Sequence, residues 1–253
     1  MALLETEKVT MRFGGLTAVS ELSVRIDAGE IVGLIGPNGA GKTTAFNVIT
    51  GMNRPTAGRV RLDGEDVTGR ARHELCRRGI ARTFQNIRLF RELSVLENVL
   101  VGCHAHVAPG VFSSTLRLPA YRRREREARE FALGLLREVG LEGNASELAV
   151  GLPYGKQRRL EIVRALATRP RLLLLDEPAA GMNPQESVEL MHLIRRIRDQ
   201  YQLTVLLIEH HMQVVMGVCQ RIYVLEYGET IAHGDPAAIQ NDPKVIEAYL
   251  GAG

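Results

Sequence analysis

Tryptophan is missing from this chain of 253 residues, and cysteine occurs only at Cys76, Cys103 and Cys219. Three thiols so far apart, with no C-x-x-C spacing, argue against a disulfide framework and for a reducing compartment. Long apolar runs are lacking too: no uninterrupted stretch approaches the ~20 residues that a membrane-crossing helix needs. Glu5, Glu7, Lys8 and Arg12 interrupt the segment "MALLETEKVTMRFGG", which is therefore not expected to act as a signal peptide. Charge of one sign is scarce. A formal net charge of +3 gives no electrostatic case for nucleic acid. Sustained heptads, internal repeats and low-complexity tracts are not found. The expectation is a soluble, cytoplasmic protein that docks on a membrane if it serves one.

The chain has ample apolar content for a sizeable core, and its strands come in two kinds. "ELSVRID" (21–27) alternates Leu22, Val24 and Ile26 with polar neighbours, the period of one half-exposed strand. "RVRLDGEDV" (59–67) reads as a hairpin turning at Asp63-Gly64. By contrast, "EIVGLIG" (30–36), "RLLLLDEP" (171–178) and "LTVLLIEHH" (203–211) are apolar on both faces, as in a parallel sheet covered by helices. Leu190, Ile194 and Ile197 line one face of a helix over 184–200, with Pro184 in its first turn. Asp235-Pro236 and Asp242-Pro243 each resemble a helix cap followed by a first-turn proline. From 88 to 165 the pattern turns mainly helical and more charged, as an inserted subdomain would, and "YRRREREARE" (121–130) reads as a solvated helix face. Cys103, His104 and His106 cluster in "CHAH", but no fourth ligand follows at zinc-like spacing. His73, His192 and His233 stand singly.

"GLIGPNGAGKTTAFNVITG" (33–51) concentrates five glycines and a proline where a buried strand should meet a helix. Within it, "GPNGAGKT" (36–43) fits the G-x-x-x-x-G-K-[ST] phosphate loop, with a strand before and a helix-forming run after. Glycines let successive N–H groups turn inward around phosphate oxygens, and the helix adds its positive dipole end. Lys42 then reaches the β- and γ-phosphates, and the Thr43 hydroxyl serves Mg²⁺. Asp176 and Glu177 end a buried strand where open α/β sheets place their ligands. Asp176 suits a water-mediated hold on Mg²⁺, and Glu177 the polarising of an attacking water.

With these residues in order, the sequence resembles an ATP-binding cassette ATPase. Phe13 matches the aromatic that stacks on adenine, and Gln85 in "TFQNIRLF" the glutamine of the loop entering the helical subdomain. "LPYGK" (152–156) matches the signature segment, "AAGMNP" (179–184) the following dimer-contact loop, and His210 the switch histidine. The resemblance implies an α/β P-loop NTPase fold: a RecA-like parallel-sheet core (1–87 and 166–253), an N-terminal antiparallel β portion, and an inserted helical subdomain (88–165) carrying the signature segment. It implies ATP held by Phe13, Gly36, Pro37, Asn38, Gly39, Ala40, Gly41, Lys42, Thr43 and Thr44, and Mg²⁺ by Thr43, Gln85 and Asp176. Catalysis falls to Glu177, His210 and Gln85. Pro153, Tyr154 and Gly155 meet a partner's ATP.

"FGGLTAV", "RTFQNIRLFRELSVLENVL", "LPYGKQRRLEIVRAL", "DEPAAGMNP", "LLIEHHMQVVMGV", "DPKVIEAYLG" and the segment at 110–125 are similar to the first of the two ATPase subunits of branched-chain amino acid importers. That implies membrane permease subunits, a second cassette, a periplasmic solute-binding protein acting indirectly, and a peripheral place on the cytoplasmic face of the inner membrane. A homodimer in isolation, a urea importer and a lipopolysaccharide exporter are the alternatives within the class; a nucleic-acid cassette is not expected. Three residues depart from the family pattern: Pro153 replaces the signature serine, Lys156 its final glutamine, and His211 an aspartate.

Overall fold

The computed structural model describes residues 1–106 and 119–250, which leaves 110–118 of the importer-like segment and Gly251 outside the described residues. β1 (Ala2–Phe13) is a shared strand, pairing antiparallel with β2 (Leu16–Leu22), β3 (Arg25–Asp27) and β5 (Ala57–Leu62). β5 turns back into β6 (Glu65–Asp66) through Asp63 and Gly64, whose φ values of 53° and 79° give the expected tight hairpin.

The stretch at 21–27, read as one strand, is two. Its alternation holds, with Leu22, Val24 and Ile26 buried and Glu21, Ser23 and Arg25 exposed. The backbone breaks between β2 and β3 because Thr6 of β1 intervenes: its hydroxyl donates to Leu22 O (3.0 Å) and accepts from Val24 N–H (2.8 Å). Periodicity fixes which side chains face inward, not which backbone group finds which partner. Thr6→Val keeps the shape but strands a buried carbonyl and amide. It is expected to cost about 1–3 kcal/mol, seen as a lower urea midpoint at unchanged slope.

The second sheet runs β11-β10-β4-β9-β8-β7. β4 (Ile31–Ile35), β8 (Leu172–Asp176) and β9 (Thr204–Ile208) are buried at every position. With β7 (Ile80–Arg82) and β10 (Arg221–Glu226) they form a parallel set, and only β11 (Glu229–Gly234) is antiparallel. The register pairs Leu34 with Ile208 and Ile208 with Asp176. The segments after Ile35, Asp176 and Ile208 therefore leave the sheet along the same edge, at its strands' carboxyl ends.

The helices begin where caps allow. Asn183 accepts from Glu186 N–H and Glu186 returns the bond, so Pro184–Tyr201 starts at a full capping box and buries Leu190, Leu193, Ile194 and Ile197. Asp235 caps Pro236–Gln240, and Asp242 accepts from Lys244 N–H at the head of Pro243–Leu250.

The chain divides into two units, Met1–Gln85 with Arg171–Gly253, and Asn86–Pro170. In the second, Ser94 and Glu97 box the start of Val95–Cys103. Buried Asn98 there donates to Phe90 O, Leu93 O and Ser94 O and accepts from Phe90 N–H, holding the preceding loop to the helix. Pro119–Glu138 carries the charge run, which is solvated from Arg122 to Arg126. His104 Nδ1 lies 2.7 Å from Leu100 O. Among the described residues no group of three or more His, Cys, Asp or Glu could hold a metal ion, and all three cysteines are free.

Candidate functional site

β4 runs into a loop that only glycine can form at two points. A Cβ on Gly36 (φ 148°) would sit 2.0 Å from Leu225 O, and one on Gly41 (φ 99°) 2.4 Å from Ala18 O. Gly41 is also the left-handed N-cap of the helix Lys42–Ile49 and brings no capping side chain, so the first-turn N–H groups stay open to an anion. Lys42 is buried, and its ammonium donates to Gly36 O (2.7 Å) and Pro37 O (2.8 Å). Burial pulls its pKa below the usual lysine value, against the opposing pull of Glu177 and Asp176. The lysine thus ties the loop into a ring around its own charge.

On the neighbouring strand ends, Glu177 adopts φ 47°, an uncommon conformation for a side-chain-bearing residue, and its N–H donates to Ile208 O (2.9 Å). That turn presents the carboxylate to two partners remote in sequence. Gln85 Nε2 donates to Oε2 at 2.9 Å, and His210 Nε2 lies 2.5 Å from Oε1. A cavity of about 540 Å³ joins these three side chains to Phe13, Leu16 and the loop residues Asn38 to Thr44.

Other expected residues sit differently. Gly36 and Pro37 supply carbonyls to Lys42 and do not line the cavity. Asp176 does not line it either: buried, it is paired through Oδ2 with Arg82 Nη2 at 2.7 Å, and its N–H reaches Thr83 Oγ1 at 3.3 Å. Pro153, Tyr154 and Gly155 belong to the second unit. Pro153 is the N-cap of Tyr154–Leu166, one place before the first-turn position, and gives that helix no side-chain cap. Lys156 donates to Asn144 Oδ1 (3.2 Å).

Sequence reasoning missed three residues here. Arg82, two residues before Phe84, read as any cation. Besides Asp176 it reaches Asn47 Oδ1 (2.7 Å) and lies over the Phe46 and Phe84 rings. Glu209 is buried after β9; its Oε1 accepts from Ala179 N–H (2.6 Å) and its Oε2 from the N–H groups of His210 (2.9 Å) and His211 (3.2 Å). The unusual His211 ring faces the same carboxylate, Nδ1 to Oε2 3.5 Å. Tyr227 lines the cavity from the β10–β11 turn. The only signal for Glu209 was its place at a buried strand end, and for Tyr227 a glycine following an aromatic.

Known proteins match this arrangement. The ABC transporter profile matches residues 19–180, and that of the branched-chain amino acid ATP-binding cassette transporters residues 229–253. The chain is 49% identical, over 98% of both sequences, to the high-affinity branched-chain amino acid transport ATP-binding protein BraF of Pseudomonas aeruginosa. Identity to the lipopolysaccharide export system ATP-binding protein LptB of Escherichia coli K12 is 36%, over 99% of this chain and 98% of that one. The crystal structure of an ABC transporter's ATP-binding cassette in its ADP conformation superposes with a TM-score of 0.87 at 33% identity, covering 99% of each chain. The chain belongs to the ABC transporter family. It is the nucleotide-binding ATPase of that family, an enzyme that hydrolyses ATP.

Proposed function

We propose that this ATPase powers import of branched-chain amino acids through a separate membrane permease. The observation that carries the solute class is the match at 229–253, because that segment lies outside the general cassette profile at 19–180. The greater identity to BraF than to LptB supports the same reading. No helix among the described residues is long and apolar enough to cross a membrane, and in this reading the permease is a separate chain. The place of work is the cytoplasmic face of the inner membrane, with a binding protein delivering solute from the other side.

ATP occupies the cavity of the first unit, Met1–Gln85 with Arg171–Gly253, within the core (1–87 and 166–253) that the sequence leads one to expect. Phe13 stacks on the base. The loop amides from Asn38 to Thr44 take the phosphates, and Lys42 exchanges the Gly36 and Pro37 carbonyls for phosphate oxygens. The donor set fits Mg²⁺, a hard cation that keeps waters and phosphates among its ligands rather than needing a protein cage. Thr43 and Gln85 would hold it directly and Asp176 through water; when bound it neutralises charge on the phosphates. Glu177 takes the proton of the attacking water, and Gln85 and His210 hold its two oxygens in place.

Pro153, Tyr154 and Gly155 offer the start of their helix, which has no side-chain cap, to ATP held by a second cassette, the related subunit of the importer, with the helical subdomain (88–165) docking the permease. The test is to reconstitute the chain with its permease pair and second cassette in liposomes and follow ATP-driven uptake. Leucine, isoleucine and valine should accumulate, and Lys42→Ala should abolish uptake. ATP-driven uptake of urea instead would overturn the solute assignment.

A further inference from the structure

The turn between β10 and β11 holds a residue that its backbone does not favour. Glu226 pairs with Glu229, leaving Tyr227 and Gly228 as a two-residue turn with φ values of 46° and 85°. Such a turn needs positive φ at both positions and prefers asparagine, aspartate or glycine. A tyrosine there is strained, and strain of this kind persists where something else requires the side chain. Folding does not require it: among the described residues Tyr227 is, at 86% exposed, the barest bulky apolar side chain after Met1.

The turn is nonetheless fixed in place. Gly228 N–H donates to Ala40 O (3.1 Å) in the phosphate loop, and Gly228 O accepts from Ser20 N–H (2.8 Å) in β2. These are main-chain bonds, so they hold the turn whatever side chain stands at 227. They anchor the Tyr227 backbone to the same loop that borders the cavity, and Tyr227 lines that cavity together with Phe13 and Leu16. Phe13 is itself 48% exposed, so two aromatic rings border one cavity with much of their surface bare. A nucleoside offers two π-faces and a sugar, and one ring covers one face.

We propose that Tyr227 is a second aromatic contact for the nucleoside part of the bound nucleotide, covering surface that Phe13 leaves open. This rests on the nucleotide reading of the cavity. Because the contact is made through the ring, it tolerates either purine and is blind to the phosphate chain. Tyr227 also borders a second cavity of about 520 Å³, which shares Asn38, Gly39 and Ala40 of the phosphate loop with the first and adds Lys244 and Glu247, but has neither Lys42 nor Phe13 in its lining. Undiminished ADP affinity in the test below would leave the ring to that second cavity or to an interface between two copies.

Titration calorimetry of the full chain with ADP, GDP and tripolyphosphate, for the parent, Tyr227→Phe, Tyr227→Asn and Lys42→Ala, decides among them. Tyr227→Asn suits the turn, so its thermal midpoint without ligand should rise. Its affinity for ADP and GDP should nonetheless fall roughly 5- to 100-fold, the effect of removing one stacked ring. Tripolyphosphate affinity should stay unchanged, and Tyr227→Phe should match the parent. ADP binding undiminished in Tyr227→Asn, while Lys42→Ala has lost it, would overturn the proposal and leave the nucleotide site standing. If Lys42→Ala also binds ADP as the parent does, the nucleotide reading itself has failed. An equal loss for tripolyphosphate would mean that the change acts through the loop. Unchanged ADP affinity with weaker ATP-dependent self-association would assign the ring to an interface between copies. Either result refutes the nucleoside contact.

Discussion

Glu177→Gln is expected to bind ATP as the parent does and to hydrolyse it about a hundred- to ten-thousand-fold more slowly. The amide has nearly the shape of the carboxylate, so the turn at φ 47° is no more strained than before. Its oxygen can still accept from Gln85 Nε2, and its NH₂ can face His210 Nε2 once the imidazole presents a lone pair there. What disappears is a group able to take a proton from water. On the proposed reading Lys42 and the loop amides would still hold nucleotide, and Asp176 the Mg²⁺ through water. If ATP joins two cassettes and hydrolysis parts them, the variant should also elute as an ATP-bound dimer on a sizing column with Mg-ATP. The measurements are turnover, ATP affinity and elution volume. Hydrolysis within about threefold of the parent, too little for loss of a general base, would refute the role. Lost ATP affinity would instead make Glu177 structural.

Asp176→Ala should unsettle the fold as well as the site. The Asp176–Arg82 pair is buried on both sides, with side-chain exposures of 3% and 8%. Deleting the carboxylate leaves a guanidinium in the interior with the neutral groups of Asn47, Thr50 and Met52 and two aromatic rings, and no counter-charge from Asp176. Breaking a buried pair from one side costs about 3–5 kcal/mol, whereas replacing both partners with apolar side chains of similar volume is often close to neutral. The double variant Arg82→Met with Asp176→Leu should therefore recover most of the stability lost in Asp176→Ala, while remaining inactive. Urea unfolding of Arg82→Met, Asp176→Leu and the double variant gives the coupling directly. A cost below about 1 kcal/mol for Asp176→Ala would show that the pair does not behave as a buried one. Loss of ATPase in an Asp176 variant reports on metal binding only after the folded fraction has been measured.

The core strands were legible because burial on both faces leaves a signature inside seven to nine residues: "EIVGLIG", "RLLLLDEP" and "LTVLLIEHH" all became buried strands of one sheet. Helix starts were legible at Pro184 and Pro236, where cap and proline are adjacent. The phosphate loop was legible because its glycines answer to contacts with Leu225 and Ala18 that no Cβ could survive. Legibility ended where a partner lies far along the chain. Arg82 and Asp176 are 94 residues apart, Glu209 and Ala179 30, and Thr6 and Val24 18. Nothing in the local pattern around an arginine, a glutamate or a threonine says which distant group it will meet. The same limit applies to Tyr227, whose turn was predictable in kind only after the pairing of β10 with β11 was known.

Glu209 leaves the two loops at its end of the sheet with fewer independent movements than their separate places in sequence imply. A carboxylate is a rigid plate. One of its oxygens is held by Ala179 N–H and the other by the N–H groups of His210 and His211. Moving residue 179 while all three bonds persist must displace that plate and carry His210 with it. Moving either loop alone must leave a buried oxygen or amide without its bond. The protein therefore meets any pull on the segment after Glu177 with two joined responses: displacement of His210, or the penalty of an unsatisfied buried charge.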